Sequence, residues 1–416
     1  MKAPSMINVA FASLPKDSGT FTFYRNQRME LLKRDINMRC VAVGAEQKEL
    51  WNHAFADEGC VMLASNTRNL KAQAKIFADW CELEKIDIVI GINSPAILSA
   101  LPHLPEHIRV VARCANAFEH GYRITMAGQE RLARIIALSP RLRDDLLTKY
   151  DANPHLMRLI PNGINPIPFD AAAAIKRGQG AILQLGFVGR LEHNQKGVLY
   201  LPAIVTELQT LGIAFHLRIA GEGCHEKLLR QQLAEAVSAG FVTFVGKLSP
   251  TEIPAFHASS DIYVFTSRFE GVPNALLEAM MAGVAPVSFL IDGITDYVIE
   301  DGRTGMICSQ GDAVEFAKIV SLLWQDRQRL VSMAEAAALA ARDRFTAALT
   351  ADAYAIEFRE VMAELPPSWA PLSWADFKPD PNFRQNMALR LAQYLPQSFV
   401  RNLKVVRNNA TELFGR

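Results

Sequence analysis

Phe265-Thr-Ser-Arg-Phe-Glu270-Gly271-Val-Pro273-Asn274-Ala-Leu-Leu-Glu278-Ala-Met-Met-Ala-Gly283 is the stretch that decides the fold. An apolar run, Asp261–Phe265, reads as a buried strand that stops near Thr266. A turn with Gly271 follows, and Pro273 suits the first turn of a helix, read over Pro273–Ala282. Strand, turn and helix in that order form the repeating unit of a parallel α/β sheet. The free amides at the helix start can hold an anion or a sugar hydroxyl. Glu270 lies on the loop above the sheet and Glu278 lies two turns into the helix, so both can meet one ligand. A carboxylate accepts two hydroxyls at once, which suits a sugar ring and a ribose diol. Either glutamate alone is better explained as a capping or solvated side chain; the whole string is not.

The same alternation runs outward from this unit. Ile7–Leu14, Arg39–Val43, Asp87–Gly91, Arg109–Cys114, Arg134–Leu138 and Arg158–Ile160 read as strands of a first sheet. Helical patterns at Thr20–Arg34, Asn66–Glu84 and Ser94–Leu101 separate them. A cluster of Pro, Gly and Asn from Pro161 to Pro168 marks a linker. A second series begins at Ala181–Val188 and continues through His216–Ala220, Phe241–Val245, Asp261–Phe265, Val284–Ser288 and Met306–Cys308. Helices are expected at Lys196–Leu211, Glu226–Val237 and Ala313–Leu323. The division is therefore 1–168, 169–346 and 347–416, the last read as helices that cross back to the first half and a basic amphipathic tail. Two α/β halves imply a cleft at strand C-terminal ends, where ligands bind.

Bulk composition limits the partners. The chain has 416 residues, enough for two cores, and a formal net charge of +1 from 44 basic and 43 acidic side chains. That balance gives no reason to expect a nucleic-acid partner. Six cysteines are scattered, with no Cys-x-x-Cys pair, which speaks against a zinc site or a disulfide framework. No signal-peptide run opens the sequence and no apolar stretch is long enough to span a bilayer, so a cytoplasmic protein is expected. After Pro366-Pro367, two helical patterns, Asn382–Leu395 and Gln397–Phe414, combine basic and apolar faces. Such a tail can lie on the inner membrane surface, or pack on the domains or a second subunit.

The central string resembles the Glu-x7-Glu signature of retaining GT-B glycosyltransferases of the family 4 type, the glycosyl transferases of group 1. The resemblance implies two Rossmann-like domains facing a cleft, with the donor on the second. It gives Glu278 the donor's ribose hydroxyls and Glu270 the transferred sugar, lined by the backbone of Gly271, Val272, Pro273 and Asn274. Gly186-Phe-Val-Gly189-Arg190-Leu and Lys196-Gly197 resemble the family's Gly-Arg-Leu…Lys-Gly element. A strand-end glycine lets backbone approach phosphate, Arg190 offers a planar fork, and Lys196 is expected as a point charge at a helix start. Ala220-Gly221-Glu222-Gly223 resembles the next turn, and the backbone of Val245 or Leu248 is placed to meet the base. Asp292-Gly293-Ile294-Thr295-Asp296 departs from the family's Gly-Gly-x-x-Glu turn at both ends.

In the first half, Ala137–Leu147 and Ile160-Pro161-Asn162-Gly163-Ile164 match the family, and likeness is thin before residue 134. The loop after the first strand carries one glycine, Gly19, beside Thr20, where the family has a glycine-rich turn. The family often has a cleft histidine after the strand Arg109–Cys114; here Asn116 replaces it or His120 serves instead, and Arg113 is equally ambiguous. The implied reaction is sugar transfer with retention, Arg190 and Lys196 neutralising the departing diphosphate without a metal or other cofactor. A UDP-sugar is favoured as donor, then GDP-mannose, with a glycan or lipid-linked acceptor for surface polysaccharide or glycoconjugate. Rival readings are an epimerase or phosphorylase on this scaffold, or a non-catalytic nucleotide-sugar-binding subunit. Oligomeric state is left open.

Overall fold

The computed structural model describes residues 6–13, 15, 19–91, 93–174, 177–365 and 370–383. Two parallel sheets are present. The first contains β1 (Ile7–Phe11), β2 (Ile36–Val43), β3 (Cys60–Leu63), β4 (Ile88–Gly91), β5 (Arg109–Cys114), β6 (Leu132–Ala137) and β7 (Met157–Leu159). The second contains β8 (Leu183–Val188), β9 (Phe215–Ala220), β10 (Val242–Gly246), β11 (Ile262–Phe265), β12 (Ala285–Phe289) and β13 (Met306–Cys308). Strand order is 3-2-1-4-5-6-7 in one and 10-9-8-11-12-13 in the other. Each order reverses beside its first strand, between β1 and β4 and between β8 and β11. That reversal opens a crevice at the strand C-terminal ends.

β3 is absent from the sequence reading. Cys60–Leu63 is short and follows Gly59, so it offers no period to detect. It pairs parallel to β2 with Cys40 opposite Cys60. Among the described residues, no helix is long and apolar enough to cross a membrane. The expected tail helices, apart from Asn382 and Phe383, lie outside the described residues, as do Lys16, Asp17 and Ser18.

The sheets are covered on both faces. One face of the first packs Val9, Phe11, Val111 and Ile136 against helix Gly19–Leu32 and helix Ala347–Ala363, through Phe23, Tyr354 and Phe358. Helix Ala347–Ala363 thus lies on the first sheet although it follows the second in the chain. Arginines on that sheet face grip it. Arg134 and Arg158 both reach Glu357, at 2.9 and 2.8 Å. Arg109 donates to the Val361 and Glu364 carbonyls. A second apolar cluster joins Val110, Ala112 and Leu142 of the first half with Phe265, Leu276 and Met280 of the second, so the halves share packing behind the cleft.

Candidate functional site

The site is built where β8 and β11 end. Gly189 N donates to the Ala220 carbonyl at 3.0 Å, and Gly221 N to the Gly246 carbonyl at 2.8 Å. A Cβ on Gly221, whose φ is 136°, would stand 1.8 Å from the Gly189 oxygen. Only glycine permits that approach, and it leaves a floor of bare backbone. The β10–β9 register shifts between Phe244 and Gly246, so Val245 stands outside the paired ladder and is exposed. Leu248 follows it on the loop, half-buried.

After Arg190 the chain forms one helical turn, His193–Lys196, ended by Gly197 in the left-handed region at φ 63°. The expected helix over Lys196–Leu211 is in fact this turn, a 3-10 turn at Val198–Tyr200, and a helix Leu201–Thr210. Lys196 therefore closes a turn and does not open a helix. The cause is packing: a Cβ on Gly197 would lie 2.0 Å from the Thr266 oxygen, so this loop is pressed on the end of β11. Thr266 Oγ1 donates to the Lys196 carbonyl (2.8 Å), and Arg268 N to the Gln195 carbonyl (2.7 Å).

The docked loop sets Lys196 Nζ 2.6 Å from Glu270 Oε1. Gln195 Nε2 donates to the other oxygen, Oε2, at 3.3 Å, and Arg190 Nη2 donates to Gln195 Oε1. Glu270 is 5 % exposed, so this is a sheltered carboxylate with both oxygens engaged. Gln195 is absent from the sequence reading. A lone glutamine has no spacing signature, and only the docked turn shows that its amide joins Arg190 to Glu270.

Pro273 is the residue before the helix, not in its first turn; the helix is Asn274–Met281. Glu278 is partly buried on it, and burial pushes its carboxyl up to about 7 against the pull of Lys196. Burial, then the Glu278 and Glu270 charges, pushes the Tyr263 phenol upward beneath them, and its hydroxyl donates to the Val188 carbonyl.

The first half closes over this loop. A Cβ on Gly271 would stand 2.0 Å from the Ala115 oxygen, and Ala117 N donates to the Glu270 carbonyl at 3.2 Å. Asn162 Nδ2 donates to Asn274 Oδ1 (2.8 Å) and to the Val272 carbonyl (3.2 Å). Asn274 Nδ2 donates in turn to the carbonyl of Gly19, the first residue of helix Gly19–Leu32. His120 is exposed in the first turn of helix Glu119–Thr125, with its ring 6.4 Å from that of Phe118. Asn116 is half-buried on the preceding loop. Asp292 is exposed and lies 3.6 Å from Arg141 Nη1, while Arg141 N donates to the Gly293 carbonyl.

A cavity of about 250 Å³ lies in the cleft beside Phe269, lined also by Ala117, Arg141, Arg268, Asp292 and Gln310. A larger one, about 580 Å³, lies at the far end of the second sheet. Its Arg177 is spent on the carbonyls of Ala172, His257, Ala258, Ala282 and Gly283, so that guanidinium holds structure together. Among the described residues, no group of three His, Cys, Asp or Glu is placed to hold a metal.

Residues 183–326 match the family described as glycosyl transferases group 1. The matched segment lies wholly in the second α/β half. The group 1 segment contains Gly189, Arg190, Lys196, Glu270 and Glu278. The chain is 31% identical over 212 residues to a glycogen synthase of Mycobacterium tuberculosis, covering 51% of this chain and 49% of that protein. It is 27% identical over 206 residues to the 2-deoxystreptamine glucosyltransferase of Streptomyces kanamyceticus, covering 47% and 52%. It thus spans about half the length of the curated relatives it matches. Among solved structures, a glycosyltransferase from Rickettsia africae superposes with a TM-score of 0.71 at 15% identity, over 86% of this chain and 99% of that one. Anabaena HepE, solved with UDP and glucose, gives 0.69 at 18% identity, over 85% and 100%. These likenesses establish the GT-B fold for the whole arrangement of two Rossmann-like halves.

Proposed function

We propose that this protein transfers a sugar from a nucleotide-sugar donor, a UDP-sugar first and GDP-mannose second, to a glycan or lipid-linked acceptor. The observation that carries the reading is Glu270, sheltered between Lys196 and Gln195 at the end of β11, with Glu278 partly buried on the following helix. A carboxylate beside a fixed cation suits a sugar hydroxyl on one side and a departing phosphate on the other. Glu278 then takes the ribose hydroxyls, and Gly189, Gly221 and the Gly271–Asn274 backbone line the diphosphate and sugar. HepE bound to UDP and glucose supports uracil as the base.

Retention follows if the acceptor attacks on the face the diphosphate leaves. Both oxygens of Glu270 are engaged, which favours this front-face course over a covalent sugar ester on Glu270. Lys196, Arg190 and the amides at the start of helix Asn274–Met281 offset the charge that develops on the leaving oxygen. The leaving phosphate can take the acceptor proton, so neither a metal nor a separate base is required; His120, exposed on helix Glu119–Thr125, is the alternative proton carrier. The first half is assigned to the acceptor, and the protein to the cytoplasm, with the cytoplasmic face of the membrane as the alternative.

The test is calorimetry with UDP, GDP, ADP and several UDP-sugars on the wild type and on Glu278→Ala. One nucleotide is expected to bind selectively, with Kd raised at least about tenfold by the substitution, the scale of a lost charged hydrogen bond. No nucleotide binding in folded wild-type protein would overturn the transferase reading.

A further inference from the structure

Four arginines stand on the sheet face beneath helix Ala347–Ala363. Arg134 and Arg158 pair with carboxylates, and Arg109 is bonded to two carbonyls at the end of that helix. Arg113, at the C-terminal end of β5, differs from them. It is 2 % exposed, yet no carboxylate among the described residues pairs with it. Its guanidinium lies 3.9 Å over the Phe23 ring, Nε donates to the Tyr354 hydroxyl (3.1 Å), and Nη2 to Asn162 Oδ1 (2.6 Å). Nη1 is buried with no partner among the described residues. Burying a guanidinium with only neutral partners is costly, and an orphaned donor adds to the cost. Such an arrangement is stable when something anionic completes it.

The route to the cleft is short. Asn162 accepts from Arg113 and donates to both Asn274 and the Val272 carbonyl, the loop that opens the helix bearing Glu278. We propose that Arg113 is a positioning residue for the donor: through Asn162 it fixes the Val272–Asn274 loop, and its charge, paired with no carboxylate among the described residues, acts across that loop on the donor's diphosphate. This rests on the transferase reading and adds a role in the half of the molecule opposite the donor sheet. It also accounts for an arginine in the apolar run Val110–Cys114, which packing alone does not require.

The experiment compares a nucleoside with its diphosphate. Affinities of uridine and UDP, and of guanosine and GDP, are measured on the wild type, Arg113→Met and Arg113→Lys, at low and high salt. Arg113→Met is expected to shrink the gain from nucleoside to diphosphate about tenfold, with nucleoside affinity unchanged. Arg113→Lys is expected to keep most of that gain and its salt sensitivity. A purely structural Arg113 predicts an unchanged gain in both variants, and that result overturns the proposal while the transferase reading stands. Wild-type protein that binds no diphosphate overturns both. If Arg113→Met does not fold, Asn162→Ala carries the test: donor KM is expected to rise about tenfold with kcat little changed, and an unchanged KM overturns the proposal.

Discussion

Glu278 shows how a single environment sets the behaviour of a residue. Burial holds its carboxyl protonated up to about 7, whereas its unfolded counterpart ionises near 4.5. Between those values the folded state binds more protons than the unfolded one, so this group's contribution to stability falls as pH rises through that window. The contribution lost is at most about 3 kcal/mol. Glu278→Gln is expected to remove this pH dependence, read as a flatter plot of urea midpoint against pH from 4.5 to 8. Nucleotide affinity in the wild type is expected to rise over the same range, because the ionised form accepts both ribose hydroxyls and the acid accepts less well. A pH-independent midpoint in the wild type would falsify the assignment. The glutamates, Arg190 and Lys196 are legible in the sequence because each stands in a string of fixed spacing. Gln195 is not, and Arg113 stays ambiguous there, because a lone glutamine and a strand-end arginine gain meaning only from what the fold brings against them.

At the scale of elements, strands β5 to β7 were readable even though Arg109, Arg113, Arg134 and Arg158 interrupt their apolar pattern. The arginines are tolerated because helix Ala347–Ala363 supplies carboxylates and carbonyls to meet them. Long-range pairing of this kind has no local signature, and for the same reason the break at Gly197 was hidden within an apparently continuous helix. Glu357 is the shared partner of Arg134 and Arg158, and its side chain is 12% exposed while that of Arg134 is 4% exposed. Removing it leaves a buried guanidinium with, among the described residues, only the more exposed Glu364 and Glu360 as acids. Glu357→Ala is therefore expected to lower unfolding stability by about 2–4 kcal/mol, at or just below the range for breaking a buried pair. Chemical denaturation measures the loss. A change below about 0.5 kcal/mol, the range of an exposed pair, rejects the view that this grip holds the helix down.

The whole molecule closes on itself through that helix. The chain leaves the first sheet at β7, builds the second, and returns through helix Arg327–Arg344 and helix Ala347–Ala363. The joint is pinned by backbone: Ile164 N donates to the Phe345 carbonyl at 2.8 Å, and Ala347 N to the Ile164 carbonyl at 2.9 Å. A Cβ on Gly163 would fall 2.2 Å from the Thr346 oxygen, so the exit from the first half and the return to it touch there. The returning helix buries Ala351, Tyr354, Ala355, Phe358 and Val361. At about 1.5–3 kcal/mol for each large apolar side chain, this burial contributes several kcal/mol, a large share of the stability of one domain. A chain ending at residue 346 is expected to keep its second sheet folded, since helix Arg327–Arg344 packs on β12 and on helix Asn274–Met281. Its first sheet, stripped of one covering helix and with Arg109, Arg113 and Arg134 uncovered, is expected to open. Hydrogen exchange tests both halves at once: β1, β4, β5 and β6 should lose protection while β8, β11 and β12 retain theirs. Equal protection of both sheets in the truncated chain would mean that the first half is stable without the helix. Tyr354 would then matter only through Arg113, as a support for the cleft and not as part of the core.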